Sequence, residues 1–224
     1  MEPDDAEFLA RVGAAALSTS ATIQNTFELA LAALDQGVPG DLVECGVFAG
    51  SQAAVMARAL VRRGDRARRV HLFDSFAGIP QAGPMDDATI TDLIGPGDGS
   101  LRTTGVSACP LAQVRKNMAV WGVPEELLIY HEGWFQEVLP KTQMWPIALL
   151  RLDGDLYEST RVCLEHLYPR VSVGGYVIID DWALTGCRKA VREYLSALGE
   201  SPAIEAVPDG MGVVWWRKGA PWTS

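Results

Sequence analysis

Arg151-Leu152-Asp153-Gly154-Asp155-Leu156-Tyr157 ends one apolar run of the chain, and Val177-Ile178-Ile179-Asp180-Asp181-Trp182 ends the next. In an open α/β sheet such continuous apolar runs are strands buried on both faces, and the carboxyl ends of parallel strands line the ligand crevice. Two neighbouring strands would deliver Asp153, Asp155, Asp180 and Asp181 to one place. Four carboxylates that close repel strongly unless a cation or shared protons neutralise them. A hard divalent ion held by oxygen ligands, Mg²⁺ foremost, is the simplest occupant. The competing reading makes Asp180-Asp181 the N-cap and first-turn acid of a helix over 186–198, and the gap before residue 186 makes that less attractive.

Working outward, residues 4–17 and 21–36 read as helices, the second with Ile23, Phe27, Ala30, Leu31 and Leu34 on one face. Gly37 and Pro39 end it. A strand over 41–47, a glycine-containing turn, a helix over 51–63 and a strand over 69–74 make a βαβ unit. Residues 76–107, rich in Gly, Pro and Asp, form a long weakly patterned stretch, which inside a compact domain marks a functional lid or disorder. Helix 110–121, strand 127–131, a short helix at 134–140, strand 147–152, helix 157–168, strand 173–180 and helix 186–198 follow. Strands near 203–207 and 212–217 form an antiparallel pair across Pro208-Asp209-Gly210. Neither an internal repeat nor a second domain is visible, so 1–224 reads as a single domain. The helices of residues 1–40 lie outside the βα core and are candidate dimer elements of a homo-oligomer.

The bulk numbers narrow the function. At 224 residues the chain suits one α/β domain, and a net charge of −9 argues against a nucleic-acid partner. The densest basic stretch, Arg58 to Arg69, reads as a solvated helix end. Cys45, Cys109, Cys163 and Cys187 form no C-x-x-C pair, which leaves zinc and redox motifs unsupported. The acidic start Met1-Glu2-Pro3-Asp4-Asp5 lacks the basic region of a signal peptide, and no apolar run reaches membrane-spanning length. The expectation is a cytoplasmic protein acting on a small molecule, with no membrane partner.

Glu44-Cys45-Gly46-Val47-Phe48-Ala49-Gly50-Ser51 closes the first strand and opens a helix. Glycines there let backbone approach a ligand, and the helix N-terminus favours anionic groups. The spacing is not G-x-G-x-x-G, so a dinucleotide site is poorly supported. Asp74 stands near the position at which an acid bonds ribose hydroxyls in Rossmann-like folds. A tight turn plus a solvated Asp explains the same residues equally well.

Taken together these segments resemble the macrocin O-methyltransferase family of S-adenosylmethionine-dependent enzymes. The matching residues are Glu44 to Val47, Asp74-Ser75-Phe76-Ala77-Gly78-Ile79-Pro80, Gly133-Trp134-Phe135, Leu152 to Thr160, Gly174-Gly175-Tyr176-Val177-Ile178, Asp180-Asp181 and Trp216-Arg217-Lys218. The resemblance runs from about residue 20 to 218, and the block Leu152 to Thr160 is the most specific. It implies a Rossmann-like fold with a seven-stranded, mostly parallel sheet, an antiparallel C-terminal strand and helices on both faces. It also implies Mg²⁺-dependent methylation of hydroxyls, often on deoxysugars of bacterial natural products. By position, Asp153, Asp180 and Asp181 look like metal ligands and Asp155 like the general base. Glu44, Gly46, Val47, Gly50, Ser51, Asp74, Ser75, Glu132, Gly133 and Trp134 look like the donor site. Trp182 stands where Tyr is common in the family, and 76–107 is shorter and idiosyncratic, which leaves the acceptor open: a sugar, or a phenol, hydroxy acid or amine.

Methyl transfer from a sulfonium is an in-line displacement, so oxygen, methyl and sulfur must be aligned and the oxygen made nucleophilic. An ordinary Asp, pKa about 3.9, is a weak base for an alcohol. Asp155 can serve if a metal acidifies the hydroxyl or if neighbouring carboxylates raise its own pKa. Among the histidines, His71 reads as structural, His131 as a candidate adenine contact and His166 as a helix surface residue. Trp134 and Trp182 are candidate covers for the adenine and the acceptor. Two other readings remain: a haloacid-dehalogenase-type phosphatase using Asp153 and Asp155, and a donor-binding scaffold without turnover.

Overall fold

The computed structural model describes residues 2–143 and 146–219. Its strands are β1 (Asp41–Cys45), β2 (Val70–Asp74), β3 (Leu128–Glu132), β4 (Ile147–Leu152), β5 (Val171–Ile179), β6 (Glu205–Ala206) and β7 (Val214–Arg217). They form one seven-stranded sheet in the order β3-β2-β1-β4-β5-β7-β6. The first five strands pair in parallel, and β7 runs antiparallel between β5 and β6. The chain winds outward from β1 to β3 on one side, then returns to lay β4 against the other edge of β1. That reversal opens a crevice at the carboxyl ends of β1 and β4, where ligands of such sheets sit.

The helices α1 (Pro3–Gly13), α2 (Ser20–Asp35), α3 (Ser51–Arg63) and α5 (Leu111–Trp121) cover one face of the sheet; α7 (Tyr157–Leu167) and α8 (Thr185–Ala197) cover the other. The run Ile147 to Leu152 is buried at every position, as a strand sandwiched between helical layers must be. Leu149 faces the α2 and α3 side, while Leu150 and Leu152 face α7 and α8.

The N-terminal helices are not outside the core. Ile23, Phe27, Ala30 and Ala33 of α2 are buried in the same apolar cluster as Leu42, Met56 and Leu149. The face read as a possible dimer surface is used within the chain. The first helix also stops at Gly13, short of residue 17, and the 203–207 strand shrinks to Glu205–Ala206.

The 76–107 stretch is ordered by its own backbone. Ile79 and Val106, Gln81 and Ser100, and Ala82 and Gly99 are tied by N–H···O bonds of 2.9–3.2 Å, and a seven-residue helix, α4 (Ala88–Ile94), sits at its tip. Ile79, Ala82 and Ile90 of this flap bury against Leu156, forming a small cluster of their own. A short helix α6 (Phe135–Val138) follows β3.

Gly46 is the residue on which the crevice closes. Its φ of +85° is left-handed, and a Cβ there would run into the Asp153 carbonyl of β4. Only glycine lets the two strand ends approach so closely. Gly46→Ala is expected to cost roughly 2–5 kcal/mol from the φ penalty plus overpacking, read by urea unfolding. A loss under about 0.5 kcal/mol would show that the strand ends separate freely.

Candidate functional site

Register explains why the acids meet. Cys45 is level with Phe73 on one side and Leu152 on the other, and Leu152 is level with Ile179. The ladder continues one residue past each strand: Gly46 N–H donates to Phe73 O at 2.9 Å, Asp153 N–H to Cys45 O at 2.8 Å, and Asp180 N–H to Leu152 O at 2.9 Å. Asp153 and Asp180 are therefore next-door neighbours across the sheet, at the spacing of adjacent strands. Asp181 joins them as the chain turns, and one carboxylate oxygen from each of Asp153, Asp180 and Asp181 lies within 4.8 Å of the others. The capping role weighed for Asp180-Asp181 is not taken up, since α8 begins at Thr185 with Leu184 at its N-cap and no side-chain cap.

Asp155 adopts a left-handed backbone, φ +57°, and its N–H donates to Asp181 Oδ2 at 2.8 Å. Such a conformation costs a non-glycine residue about 1–3 kcal/mol and persists only where surroundings impose it. Here the bond to Asp181 helps to impose it, and Asp155 stands beside the other three acids on the wall of one cavity.

A residue not singled out from sequence anchors this cluster. Arg151 is fully buried; it donates from Nη1 to Asp153 Oδ2 at 3.1 Å and from Nη2 to Asp180 Oδ1, with Glu44 Oε1 3.9 Å from its Nε. The placement follows from strand alternation. Residues two apart share a face, so Arg151 lies directly below Asp153, and Ile178, its cross-strand partner, lies below Asp180. Glu44 is its partner on β1. The signal was present as a lone Arg inside the run Ile147-Ala148-Leu149-Leu150-Arg151-Leu152. A cation is kept in such a place only when charges pair with it.

One guanidinium does not balance five carboxyls. Burial above all, then Asp180, holds the Asp153 carboxyl well above its usual range. Burial, then Asp155, does the same to Asp181. Burial, then Asp153, pushes Asp155 up to about 8, and burial pushes Glu44 up to about 8 against the pull of Arg151. An all-oxygen set with surplus negative charge fits a hard divalent cation, which Asp153, Asp180 and Asp181 could hold.

The other wall of the cavity comes from the β1–α3 turn. Asp74 ties it together: its Oδ2 accepts from Val47 N–H at 2.6 Å and Phe48 N–H at 3.2 Å, and its Oδ1 from Phe76 N–H at 2.6 Å. Phe48 and Phe76 are both left-handed, φ +46° and +53°, so one carboxylate stabilises two strained turns. Glu44, Gly46, Val47, Ser51, Ser75 and Trp134 also reach this cavity. The Ser51 hydroxyl donates to Val12 O at 2.8 Å and that of Ser75 to Gly78 O at 3.1 Å.

Gln52, which sequence reading passed over, also lines the cavity. It is 4% exposed, and neither atom of its amide has a partner among the described residues. Buried amides of this kind are normally satisfied, so an unfilled pair facing a cavity suits a polar ligand. Nothing in its position on an apolar helix face marks it from sequence.

Several expected residues stand elsewhere. Gly50 starts α3 behind the wall, where a Cβ would meet Met118 Cε at 2.6 Å. Glu132 is exposed at the end of β3, and Gly133 N–H donates to Asp74 O at 2.9 Å. His131 faces away from the cavity, stacked on Phe73 at 4.0 Å with Nε2 3.0 Å from His71 Nδ1. Trp182 packs beside the α7–α8 core under Arg192.

Comparison with known proteins follows the same outline. The macrocin-O-methyltransferase family model matches residues 12–218. The 8-demethyl-8-(2,3-dimethoxy-alpha-L-rhamnosyl)-tetracenomycin-C 4'-O-methyltransferase of Streptomyces olivaceus is 44% identical over 185 residues, 81% of this chain and 67% of that one. The mycinamicin III 3''-O-methyltransferase of Micromonospora griseorubida is 37% identical over 191 residues, 83% of this chain and 71% of that one. Among solved structures, the O-methyltransferase NovP superposes with a TM-score of 0.79 at 34% identity, covering 89% of this chain and 80% of that one.

Arg151 sets a test of the site's charge balance. Arg151→Met in metal-free protein is expected to lose about 3–5 kcal/mol, because the acids are left without a buried counter-charge. Urea unfolding with and without Mg²⁺ reads the effect, and Mg²⁺ should restore more stability to the variant than it adds to the parent. Equal stability of the two proteins would remove Arg151 from this role.

Proposed function

The chain belongs to the macrocin O-methyltransferase family of S-adenosylmethionine-dependent enzymes, and from that premise we propose that it methylates a hydroxyl on a deoxysugar of a natural product, with Mg²⁺ at the acid cluster and Asp155 as general base. The observation that carries this reading is the convergence of Asp153, Asp180 and Asp181 within 4.8 Å beside Asp155. The rhamnosyl group in the name of the Streptomyces olivaceus relative's acceptor supports a sugar.

S-adenosylmethionine supplies an electrophilic methyl on a sulfonium. In the transfer an acceptor oxygen–carbon bond forms, the sulfur–methyl bond breaks, and the hydroxyl proton passes to a base. Asp155 is the group to receive that proton at its carboxylate, which lines the cavity beside the three proposed metal ligands. The left-handed turn at Asp155, bonded to Asp181, keeps that carboxylate beside the acid cluster. Mg²⁺ held by Asp153, Asp180 and Asp181 would lower the hydroxyl pKa and fix its orientation. Glu44, Gly46, Val47, Asp74 and Ser75 form the donor wall, with Trp134 as cover and Gln52 as a polar contact. Gly50, Ser51 and Gly133 hold the turns that shape it, while Glu132 is exposed at the end of β3. Ile79, Pro80 and Leu93 of the flap over 76–107 line the same cavity, on the side we assign to the acceptor.

Asp155→Asn should lower turnover of a rhamnosylated acceptor by roughly 10²- to 10⁴-fold while S-adenosylhomocysteine still binds in calorimetry. Unchanged turnover would take the base role from Asp155. Asp153→Asn should weaken Mg²⁺ binding and abolish activity together, because a hard cation wants carboxylate oxygen. Full activity in the presence of a chelator would contradict the metal.

A further inference from the structure

The 76–107 flap is fastened to the rest of the molecule by two consecutive aspartates. Asp86 bridges two elements: its Oδ2 accepts from Gly83 N–H inside the flap at 2.8 Å, and its Oδ1 accepts from Tyr157 N–H, the first residue of α7, at 2.8 Å. Asp87 caps α4 by accepting from Thr89 N–H at 2.9 Å through Oδ1, and its Oδ2 accepts from Thr185 N–H at 3.0 Å and from the Thr185 hydroxyl. The flap thus lies on the first turns of both helices that follow the acid-bearing strands.

Two further observations show how tightly it is seated. Gly186 in the first turn of α8 has no room for a side chain, since a Cβ would meet Asp86 Oδ1 at 2.6 Å. Leu156, the residue after Asp155, is 3% exposed because Ile79, Ala82 and Ile90 of the flap cover it. Asp155 is left-handed, and its neighbours on the C-terminal side are held by the flap through one apolar and one polar contact. On its own N–H it is held by Asp181.

Resting on the reading of Asp155 as the base, we infer that Asp86 is a positioning residue that couples the flap over the acceptor side to the backbone of the Asp155 turn. A flap that lifts would release the Tyr157 N–H and uncover Leu156, freeing the turn to leave its strained conformation. The base is then in place only while the flap is down. Asp87 has a separate task, holding α4 to the start of α8.

Hydrogen exchange on the whole chain distinguishes coupling from simple anchoring. Asp86→Ala deprives the Tyr157 N–H of its acceptor directly, so the reading amides are the others. Exchange is expected to speed roughly tenfold or more in 78–106 and at the Asp155 N–H, which Asp86 does not touch, while β1 and β4 keep parent protection. Asp87→Ala should speed exchange in 88–94 and 185–187 and leave 155–160 as in the parent. Faster exchange confined to 78–106 and Tyr157 in Asp86→Ala, with the Asp155 N–H protected as in the parent, would overturn the coupling. Should Asp86→Ala fail to fold, Asp86→Asn gives up one of the two bonds and should show smaller changes at the same amides. S-adenosylhomocysteine binding to the parent protein, measured alongside, tests the methyltransferase site separately, so its failure is not confused with failure of the coupling.

Discussion

A buried guanidinium beneath a row of carboxylates is the interaction on which this site depends. Arg151 has no access to solvent, so its charge must be balanced within the protein, and Asp153, Asp180 and Glu44 surround it. The pairing works in both directions. The acids make a buried arginine tolerable, and the arginine lets acids gather at a strand end before any metal arrives. It leaves a deliberate surplus: one positive charge against five carboxyls, several of them pushed far above their usual pKa. That surplus is the electrostatic ground for the proposed cation site.

The sheet supplies the rest by register. Four strands end at one level, so residues one step past each end meet side by side without any long-range adjustment. Gly46 lets two of those ends touch, and Asp74 uses three backbone N–H groups to hold the turns beside β1. Phe48, Phe76 and Asp155, three left-handed residues of this ring, are each fastened by a carboxylate accepting the N–H. Among the described residues no helix is long and apolar enough to cross a membrane.

The fold and the acid cluster were legible because they are written in local pattern. Apolar runs ending in Asp give both the strand and the position of its acid, and the parallel sheet then dictates who is adjacent. What stayed hidden depends on tertiary placement. Arg151 could be seen as an oddity in an apolar run, but its partners lie on two other strands. Gln52 sits among small apolar residues of α3, and only the crevice tells that its amide faces a cavity. The seven residues of α4 are too few for a periodic signal. His131 stands near the end of its strand, close to the cavity-lining Trp134, yet its ring stacks against Phe73. The N-terminal helices looked like outliers because amphipathicity does not say which surface a face will meet.

The proposed function stands or falls on whether the acids above Arg151 bind a divalent cation next to the cavity. Anomalous diffraction from crystals grown with Mn²⁺ and S-adenosylhomocysteine tests it most directly. The account predicts a single strong manganese peak among the carboxylate oxygens of Asp153, Asp180 and Asp181, with Arg151 still buried behind them. A map with the demethylated donor in place and no manganese at those three residues would contradict it.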